Sequence, residues 1–528
     1  MQAPNKKLVL AAMVFAVAML FIDQTIVALA VPRLQHDVHV SPTESQWIIN
    51  GYLLALSAFF ALGGRVADLL GHRRMVVIGV VAFAVSSALC GATPKGSVAA
   101  AWLILFRVVQ GASAAFLFPA ALAIVVDTFA VAERGRALAL FFSITGGLTA
   151  IGPIAGGYLT QWTWRSIFWI NVPVAIVALV LIYASKPAQR PQHTPLDVKG
   201  AVLISAGMGL AVLGLQQASA WGWTSVATWA CLAAGLALIA AFVRLELRVS
   251  DPLVPVRLFA DRGFAVDNAV LFMISICFVP LFFFASLYAQ IALGKTASNA
   301  GVFLLVFFLG FTIAAQWGGR ILDARGARPT VVLGCAVAAV GFYLWGSKLD
   351  TLSFSKQWFY LAVAGAGMGL VLGPVSADAL NRSSRTAYGA VTGVTQTVRN
   401  FGGSLGLAVL GSVLITETTS RVVTTLTGFG VPRAAATGIA HTISGASGGA
   451  GGSAAAARAP HRVTQAVQLD FALATRTVVY GMAVAMAIAF LIAVTRLPAG
   501  RATQEAVAAD PSQRGELSPG PAAVSRTP

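Results

Sequence analysis

The chain is 528 residues long, and 57% of the residues are hydrophobic whereas only 10% are charged. With a mean hydropathy of +0.80, this composition excludes a string of soluble domains. The net charge of +17 does not indicate nucleic-acid binding, because the basic residues are spread between apolar segments and form no patch. We therefore predict a polytopic membrane protein with the lipid bilayer as its surroundings and no nucleic-acid partner.

Fourteen apolar segments, each long enough to cross a bilayer as a helix, follow one another along the chain. They are predicted at residues 8–31, 46–66, 75–93, 99–126, 136–160, 165–184, 200–217, 226–246, 264–290, 299–319, 330–347, 357–378, 389–416 and 474–496. An even number of spans places both termini on one side. The N-terminal tail and the short loops on that side, counted with their edges, hold 19 lysines and arginines, against six on the other side. Because short cytoplasmic loops are rich in these residues, both termini are expected to be cytoplasmic, in the plasma membrane.

A charged hairpin occurs twice in the chain. GRVADLLGHRRMVVIG at 64–79 returns as GRILDARGARPTVVLG at 319–334. Glycines permit a tight turn between spans, and duplication of the whole hairpin favours a gating role on the cytoplasmic side. The residues assigned to this gate, with one acid at the inner end of span 4, are Gly64, Asp68, Gly71, Arg73, Arg74, Asp127, Gly319, Asp323, Gly326 and Arg328. We expect Asp68 to meet Arg73, Arg74 or the surroundings of Asp127.

The two hairpins define the architecture, because the first joins spans 2 and 3 and the second joins spans 10 and 11. Spans 1–6 then correspond to spans 9–14, and spans 7 and 8 are an insertion. The predicted fold is all-α, with an N-terminal six-helix bundle at 1–185, an inserted pair at 186–263 and a C-terminal six-helix bundle at 264–496. The external loop at 417–473 and the cytoplasmic tail at 497–528 are expected to be largely disordered, because they are rich in small and polar residues.

Two charged residues lie inside spans at matching depth. Asp23 in span 1 and Arg107 in span 4 are each predicted about 12 Å below the outer boundary, from a rise of 1.5 Å per residue. Charges inside a membrane are costly and usually face a partner or a cavity. We interpret the two as a pair that loads and releases a proton. The alternative is a fixed ion pair that only holds spans 1 and 4 together.

Three further polar residues are assigned to a central cavity. Arg399 lies near the middle of span 13, and Tyr288 and Gln290 lie at the end of span 9. A lone arginine at that depth should face the cavity or a carboxylate. A structural hydrogen-bonding role for Arg399 is the alternative.

Span 5 carries the cluster Gly152, Pro153, Gly156 and Gly157. Small residues let helices approach closely in lipid, and a proline loosens the backbone ladder; ordinary tight packing is the alternative. The sequence has no phosphate-binding loop, no metal-ligand cluster and no nucleophile motif. We therefore expect no enzymatic activity, no metal and no cofactor, with a proton gradient as the energy source.

Five segments in this order resemble motifs of the major facilitator superfamily, and specifically of its fourteen-span drug:proton antiporter family. They are IDQTIVALAVP at 22–32, GRVADLLGHRR at 64–74, LILFRVVQGASAA at 103–115, GPIAGG at 152–157 and WRSIFWINVP at 164–173. The hairpin departs from the family pattern at Leu69 and His72, where basic residues are usual. The resemblance covers residues 8–496 and implies proton-driven export, with Asp23 and Arg107 as the coupling residues.

The main hypothesis is a multidrug efflux antiporter that exchanges hydrophobic or amphipathic small molecules, such as antibiotics, for protons. A dedicated exporter of one metabolite, such as a self-made antibiotic, a lipid or a siderophore, is the alternative with the same fold. A membrane receptor or assembly scaffold that transports nothing is a third hypothesis, favoured only by the external loop. We expect a monomer, and the hypothesis leaves room for accessory export proteins.

Overall fold

The protein is described by a computed structural model. It covers residues 5–38, 40, 42–187, 197–249, 252, 256–382, 388–444 and 461–500. The helices are α1 Lys6–Val38, α2 Pro42–Leu70, α3 His72–Gly91, α4 Ala99–Thr128, α5 Val131–Trp162, α6 Ser166–Trp169, α7 Asn171–Ser185, α8 Val198–Trp221, α9 Val226–Glu246, α10 Arg262–Ile291, α11 Ala297–Arg325, α12 Ala327–Gly346, α13 Trp358–Asn381, α14 Tyr388–Gly428, α15 Arg433–Ser444 and α16 His461–Arg496. Short 3₁₀ turns occupy Val256–Ala260, Leu349–Thr351 and Phe354–Lys356.

Every predicted span falls on a helix. Within the described ranges, thirteen helical segments are long and apolar enough to cross a membrane, with α6 and α7 counted as one. The remaining predicted span is α5, a helix of 32 residues, several of whose side chains lie outside the description. The helix of span 6 is interrupted at Ile170, because Pro173 has no backbone N–H to donate to the carbonyl of Trp169.

The two halves exchange equivalent contacts. In the N-terminal half, α5 packs against α11 and α13; in the C-terminal half, α14 packs against α2 and α4. By the hairpin correspondence, α5 matches α14, α2 matches α11 and α4 matches α13. This reciprocity is the pattern of a pseudo-twofold axis between the halves. Each half therefore packs against the other through one helix, α5 in the N-terminal half and α14 in the C-terminal half.

Both duplicated hairpins turn at the same glycine. Gly71 between α2 and α3 has φ of 89°, and Gly326 between α11 and α12 has φ of 86°. Only glycine adopts this left-handed region without steric cost, so the repeated glycine fixes two tight helix reversals. The side of the bundle on which both reversals lie is called the hairpin side below.

The inserted helices α8 and α9 pack on each other, and α8 also packs on α2 and α14. Between the two, Trp223 donates its indole N–H to the Ser412 hydroxyl of α14 at 2.6 Å. The insertion therefore contacts both halves, although the domain boundaries drawn from the sequence stay predictions.

The expectation that residues 417–473 are largely disordered is wrong. The described part of this stretch is mostly helical, because α14 continues to Gly428, α15 follows, and α16 begins at His461. Buried Val422 and Leu426 of α14, with Ala436 and Ala440 of α15, belong to the hydrophobic core of the bundle. Residues 445–460 and the predicted tail beyond Gly500 lie outside the described residues.

Candidate transport site

The predicted pairing of Asp23 with Arg107 is confirmed. Nη1 of Arg107 donates to Oδ2 of Asp23, and both side chains are buried between α1 and α4. Arg107 lies eight residues into α4, which places it about 12 Å from the start of that helix. The role of the pair in proton transfer stays a prediction.

Three further groups hold the Arg107 guanidinium. Its Nε donates to the carbonyl of Ile48 at 3.0 Å, and its Nη1 donates to Oε1 of Gln110 at 2.8 Å. The ring of Tyr52 lies 4.3 Å from the guanidinium carbon, a cation–π contact. These contacts come from α2 and α4, so they do not involve α1.

Gln110 completes the network around Asp23. Its Nε2 donates to Oδ1 of Asp23 at 3.1 Å while its Oε1 accepts from Arg107. The neighbouring Gly111 brings α4 against the backbone of Tyr52, and a Cβ there would collide with the Tyr52 carbonyl. The sequence singled out Gly111 only as part of a motif, and the role of Gln110 was missed, because a neutral amide in an apolar run carries no charge signal.

The glycines of span 5 lie beside this network. Gly152 is buried against α1, where a Cβ would collide with Oγ1 of Thr25 and lie 3.1 Å from the carbonyl of Ile22. The close approach of α5 to α1 therefore occurs within two residues of Asp23. Gly156 is also buried. Pro153 and Gly157 lie outside the residues whose surroundings are described.

Two contacts join the halves through α5. Near the hairpin side, Nη1 of Arg134 donates to Oδ1 of Asn381 at the end of α13, at 3.2 Å. Deeper in the bundle, the guanidinium carbon of Arg399 on α14 lies 5.3 Å from the centre of the Phe142 ring. The helix that touches α1 beside Asp23 thus also touches the C-terminal half at two depths.

The structure separates the three predicted cavity residues. Arg399 faces the opposite half, as the Phe142 contact shows. Tyr288 does not line a cavity: it is fully buried in the C-terminal bundle, donates to the Leu349 carbonyl at 2.8 Å and accepts from Gln357. Gln290 is half-buried and bonds Ser286 on its own helix. The correction has a simple cause, since a tyrosine near the end of a span anchors a loop as readily as it lines a pore.

In the first hairpin, Asp68 is buried and its Oδ1 lies 2.9 Å from Nε2 of His72. Asp68 therefore contacts a residue that departs from the family pattern, and its expected contact with Arg73, Arg74 or the surroundings of Asp127 stays a prediction. Arg73 lies over the Tyr183 ring at 5.8 Å, and Arg74 is exposed. Asp127 is half-buried at the end of α4. The spacing of four residues across the Gly71 turn brings the histidine onto the aspartate.

The second hairpin is held differently. Nη2 of Arg328 donates to the Val494 carbonyl of α16 at 2.9 Å. Asp323 is half-buried, in contrast to its buried counterpart Asp68. Gly64 and Gly319 are both buried. The two copies therefore share a backbone turn but differ in side-chain partners, and their gating role stays a prediction.

A second buried charge cluster lies at the hairpin side of the C-terminal half, and the sequence did not reveal it. Arg382 bonds Oδ2 of Asp378 through Nε at 3.0 Å and Nη2 at 2.9 Å. Its Nε also lies 3.4 Å from fully buried Asp267, and its Nη1 lies 3.6 Å from Asp261. Asp267 was missed because it falls three residues inside a span boundary, where an acid ordinarily reaches water.

Two pseudo-symmetric helical bundles that share a duplicated hairpin, with the buried Asp23–Arg107 pair in the first, are the architecture of a membrane transporter. The chain belongs to the Major Facilitator Superfamily, whose family model matches residues 13–407. This result confirms the resemblance seen in the five motifs.

Characterised relatives include antibiotic export proteins. The chain is 35% identical over 77% of its length to the tetracenomycin C resistance and export protein of Streptomyces glaucescens, covering 75% of that protein. It is 34% identical over 74% of its length to the cephamycin export protein CmcT of Amycolatopsis lactamdurans, covering 81% of it. It is 30% identical over 78% of its length to the multidrug transporter protein MdtP of Bacillus subtilis, covering 75% of it.

Solved structures support the fold alone. The proton:xylose symporter XylE matches 94% of this chain and 97% of its own, with a TM-score of 0.61 at 11% identity. The human organic anion transporter MFSD10 matches 93% of this chain and 100% of its own, with a TM-score of 0.56 at 15% identity.

Proposed function

We propose that the protein is a proton-coupled antiporter that exports hydrophobic or amphipathic drugs or antibiotics across the cytoplasmic membrane by alternating access. The observation that carries the proposal is the buried Asp23–Arg107 pair with α5 packed against α1 beside it. The export and resistance functions named for the relatives support the choice of substrate class.

Proton exchange at Asp23 changes the force between α1 and α4. With Asp23 ionised, the charge-assisted bond ties the two helices together. With Asp23 protonated, that attraction is lost, whereas Arg107 keeps the Ile48 carbonyl, Gln110 and the Tyr52 ring as partners. The arginine keeps its other partners, and α1 is held less tightly because only the Gln110 amide still donates to Asp23.

The released movement reaches the other half through α5. Gly152 ties α5 to α1, while Arg134 and Phe142 tie α5 to the C-terminal half. A shift of α1 therefore displaces the contacts on which rocking of the halves depends, with the duplicated hairpins as the cytoplasmic gate. Both termini are placed in the cytoplasm in this proposal.

The test is a susceptibility panel in an efflux-deficient bacterium that expresses the full chain. Resistance to several unrelated amphipathic compounds is expected, and everted vesicles should release protons when such a compound is added. An Asp23→Asn variant expressed at the same level, in which proton-driven export should be lost, is the control. Equal susceptibility of cells with and without the protein would contradict export.

A dedicated exporter of one compound is the second candidate, favoured by the similarity to the cephamycin export protein. The same panel separates the two, because a dedicated exporter protects against one compound and leaves the other susceptibilities unchanged. A scaffold that transports nothing would release no protons in the vesicle assay.

A further inference from the structure

One face of α14 carries three polar side chains in a helical row. Thr392, Gln396 and Arg399 are spaced i, i+4 and i+7, which places them on the same side of the helix. Thr392 is fully buried and Gln396 is nearly so. This row is called the Arg399 stripe below.

The charge of Arg399 has no counter-ion among the described residues. Its Nη1 donates to the neutral amide oxygen of Gln396 at 3.0 Å, and its Nε is buried without a hydrogen-bond partner in the described part of the chain. By contrast, the buried Arg107 pairs with Asp23 and Arg382 pairs with Asp378. Arg399 is half-buried, and its charge is therefore one that no described residue neutralises.

An unpaired charge away from water is strongly unfavourable, and proteins normally provide a carboxylate for it. One amide oxygen and one aromatic ring offset only part of this penalty. A cation without a counter-ion in the protein is expected where an anionic ligand binds, because the charge of the ligand supplies the missing partner. A guanidinium with a free N–H also suits the planar, two-oxygen geometry of a carboxylate.

The position of the Arg399 stripe is that of a substrate site. Arg399 lies 11 residues into α14, and Phe142 lies 11 residues into α5, so both are about 16 Å from the hairpin side. They meet across the junction of the halves, where alternating access places the bound compound. The buried Thr392 hydroxyl also has no partner within the described residues, and it supplies a second polar group on the same face.

We infer that the Arg399 stripe binds the acidic group of the transported compound, so that the substrates are amphipathic organic anions with a carboxylate or an acidic phenol. The Phe142 ring contacts the apolar body of the compound. This inference rests on the proposed export function and narrows its substrate class. Asp23 does not offset the charge of Arg399, because Asp23 is already paired with Arg107.

The test compares two dyes with one xanthene core, anionic fluorescein and cationic rhodamine 123. Binding to the full chain is measured by fluorescence anisotropy in nanodiscs of zwitterionic lipid, so that no lipid anion occupies the site. The wild type is expected to bind fluorescein about tenfold more tightly than rhodamine 123. Arg399→Gln should remove that preference, and Arg399→Lys should retain part of it because the charge remains.

A matched control and a stability readout separate recognition from structure. Arg320→Gln removes an exposed arginine that lies 5.8 Å from the Trp317 ring, and fluorescein binding should be unchanged. Without dye, Arg399→Gln should melt no lower than the wild type, because a charge with no counter-ion among the described residues has been removed. A lower melting temperature would identify Arg399 as a structural residue and overturn the inference.

The remaining outcomes distinguish the inference from the export function. Equal affinity of the wild type for the two dyes, or equal weakening of both in Arg399→Gln, overturns the inference. Cells that export rhodamine 123 but not fluorescein would keep the export function and overturn the anion site. Arg399-dependent fluorescein binding by a protein that exports neither dye would keep the site and overturn the export function. An anionic lipid headgroup should compete with fluorescein for Arg399 and weaken its binding. Higher affinity for fluorescein after reconstitution with an anionic lipid would therefore also overturn the inference.

Discussion

The Asp23→Asn substitution tests the coupling site, since it removes one charge and keeps the shape of the side chain. Arg107 then loses its counter-ion but retains the Ile48 carbonyl at 3.0 Å, Gln110 at 2.8 Å and the Tyr52 ring at 4.3 Å. Breaking a buried pair by removing one partner costs about 3–5 kcal/mol. With three of four contacts kept, we expect destabilisation of about 3 kcal/mol, the lower end of that range.

Transport by this variant should separate into two behaviours. Accumulation of drug in everted vesicles against an imposed proton gradient should fall to the level of vesicles without the protein, whereas passive downhill exchange should persist. Asp350→Asn is the control, because its pair with Arg476 is 3.8 Å long and partly exposed, and its loss should cost less than about 1 kcal/mol. Gradient-driven accumulation at the wild-type rate in Asp23→Asn would refute the coupling assignment.

Three further substitutions test the fold around the site. Gly152→Val should abolish export while leaving membrane insertion intact, because the valine side chain would collide with Thr25. Wild-type resistance of this variant in a susceptibility assay would contradict the close approach of α5 to α1. Gly326→Ala should destabilise the protein by about 1–2 kcal/mol, because alanine is strained at the left-handed φ of this turn. The measurement is a lower melting temperature, and an unchanged melting temperature would argue against a strained φ. Arg382→Gln should lower stability by about 3 kcal/mol or more, because buried Asp267 loses the one cation beside it among the described residues. Recovery in the double variant with Asp267→Asn is the check.

The sequence predicted the span order and the ion pair because each rests on a strong and local signal. Charges inside apolar runs are rare, so Asp23 and Arg107 stand out, and matching depths were enough to pair them. The repeated glycines at 71 and 326 likewise predicted two turns that the structure places at the same backbone angle.

Other contacts depend on geometry that no short pattern encodes. The bond between Asp68 and His72 requires the Gly71 reversal to bring the two side chains together. The helical extension of α14 was read as a loop because hydropathy falls after the span, although the hydrogen-bond ladder continues wherever a few residues such as Val422 are buried. Tyr288 was wrongly assigned to the cavity because its hydrogen-bond partner, the Leu349 carbonyl, lies in a 3₁₀ turn 61 residues further along the chain.

The length of α14 carries its last turn far from the hairpin side. Its 41 residues measure about 61 Å, twice the thickness of the hydrocarbon core, so the helix projects well past the membrane. Gly428 at its tip is 29 residues beyond Arg399, about 44 Å along the same rod. A rigid-body rotation of about 15° would then move the tip by about 11 Å. A fluorophore placed there would report rocking of the buried junction from a position outside the bilayer.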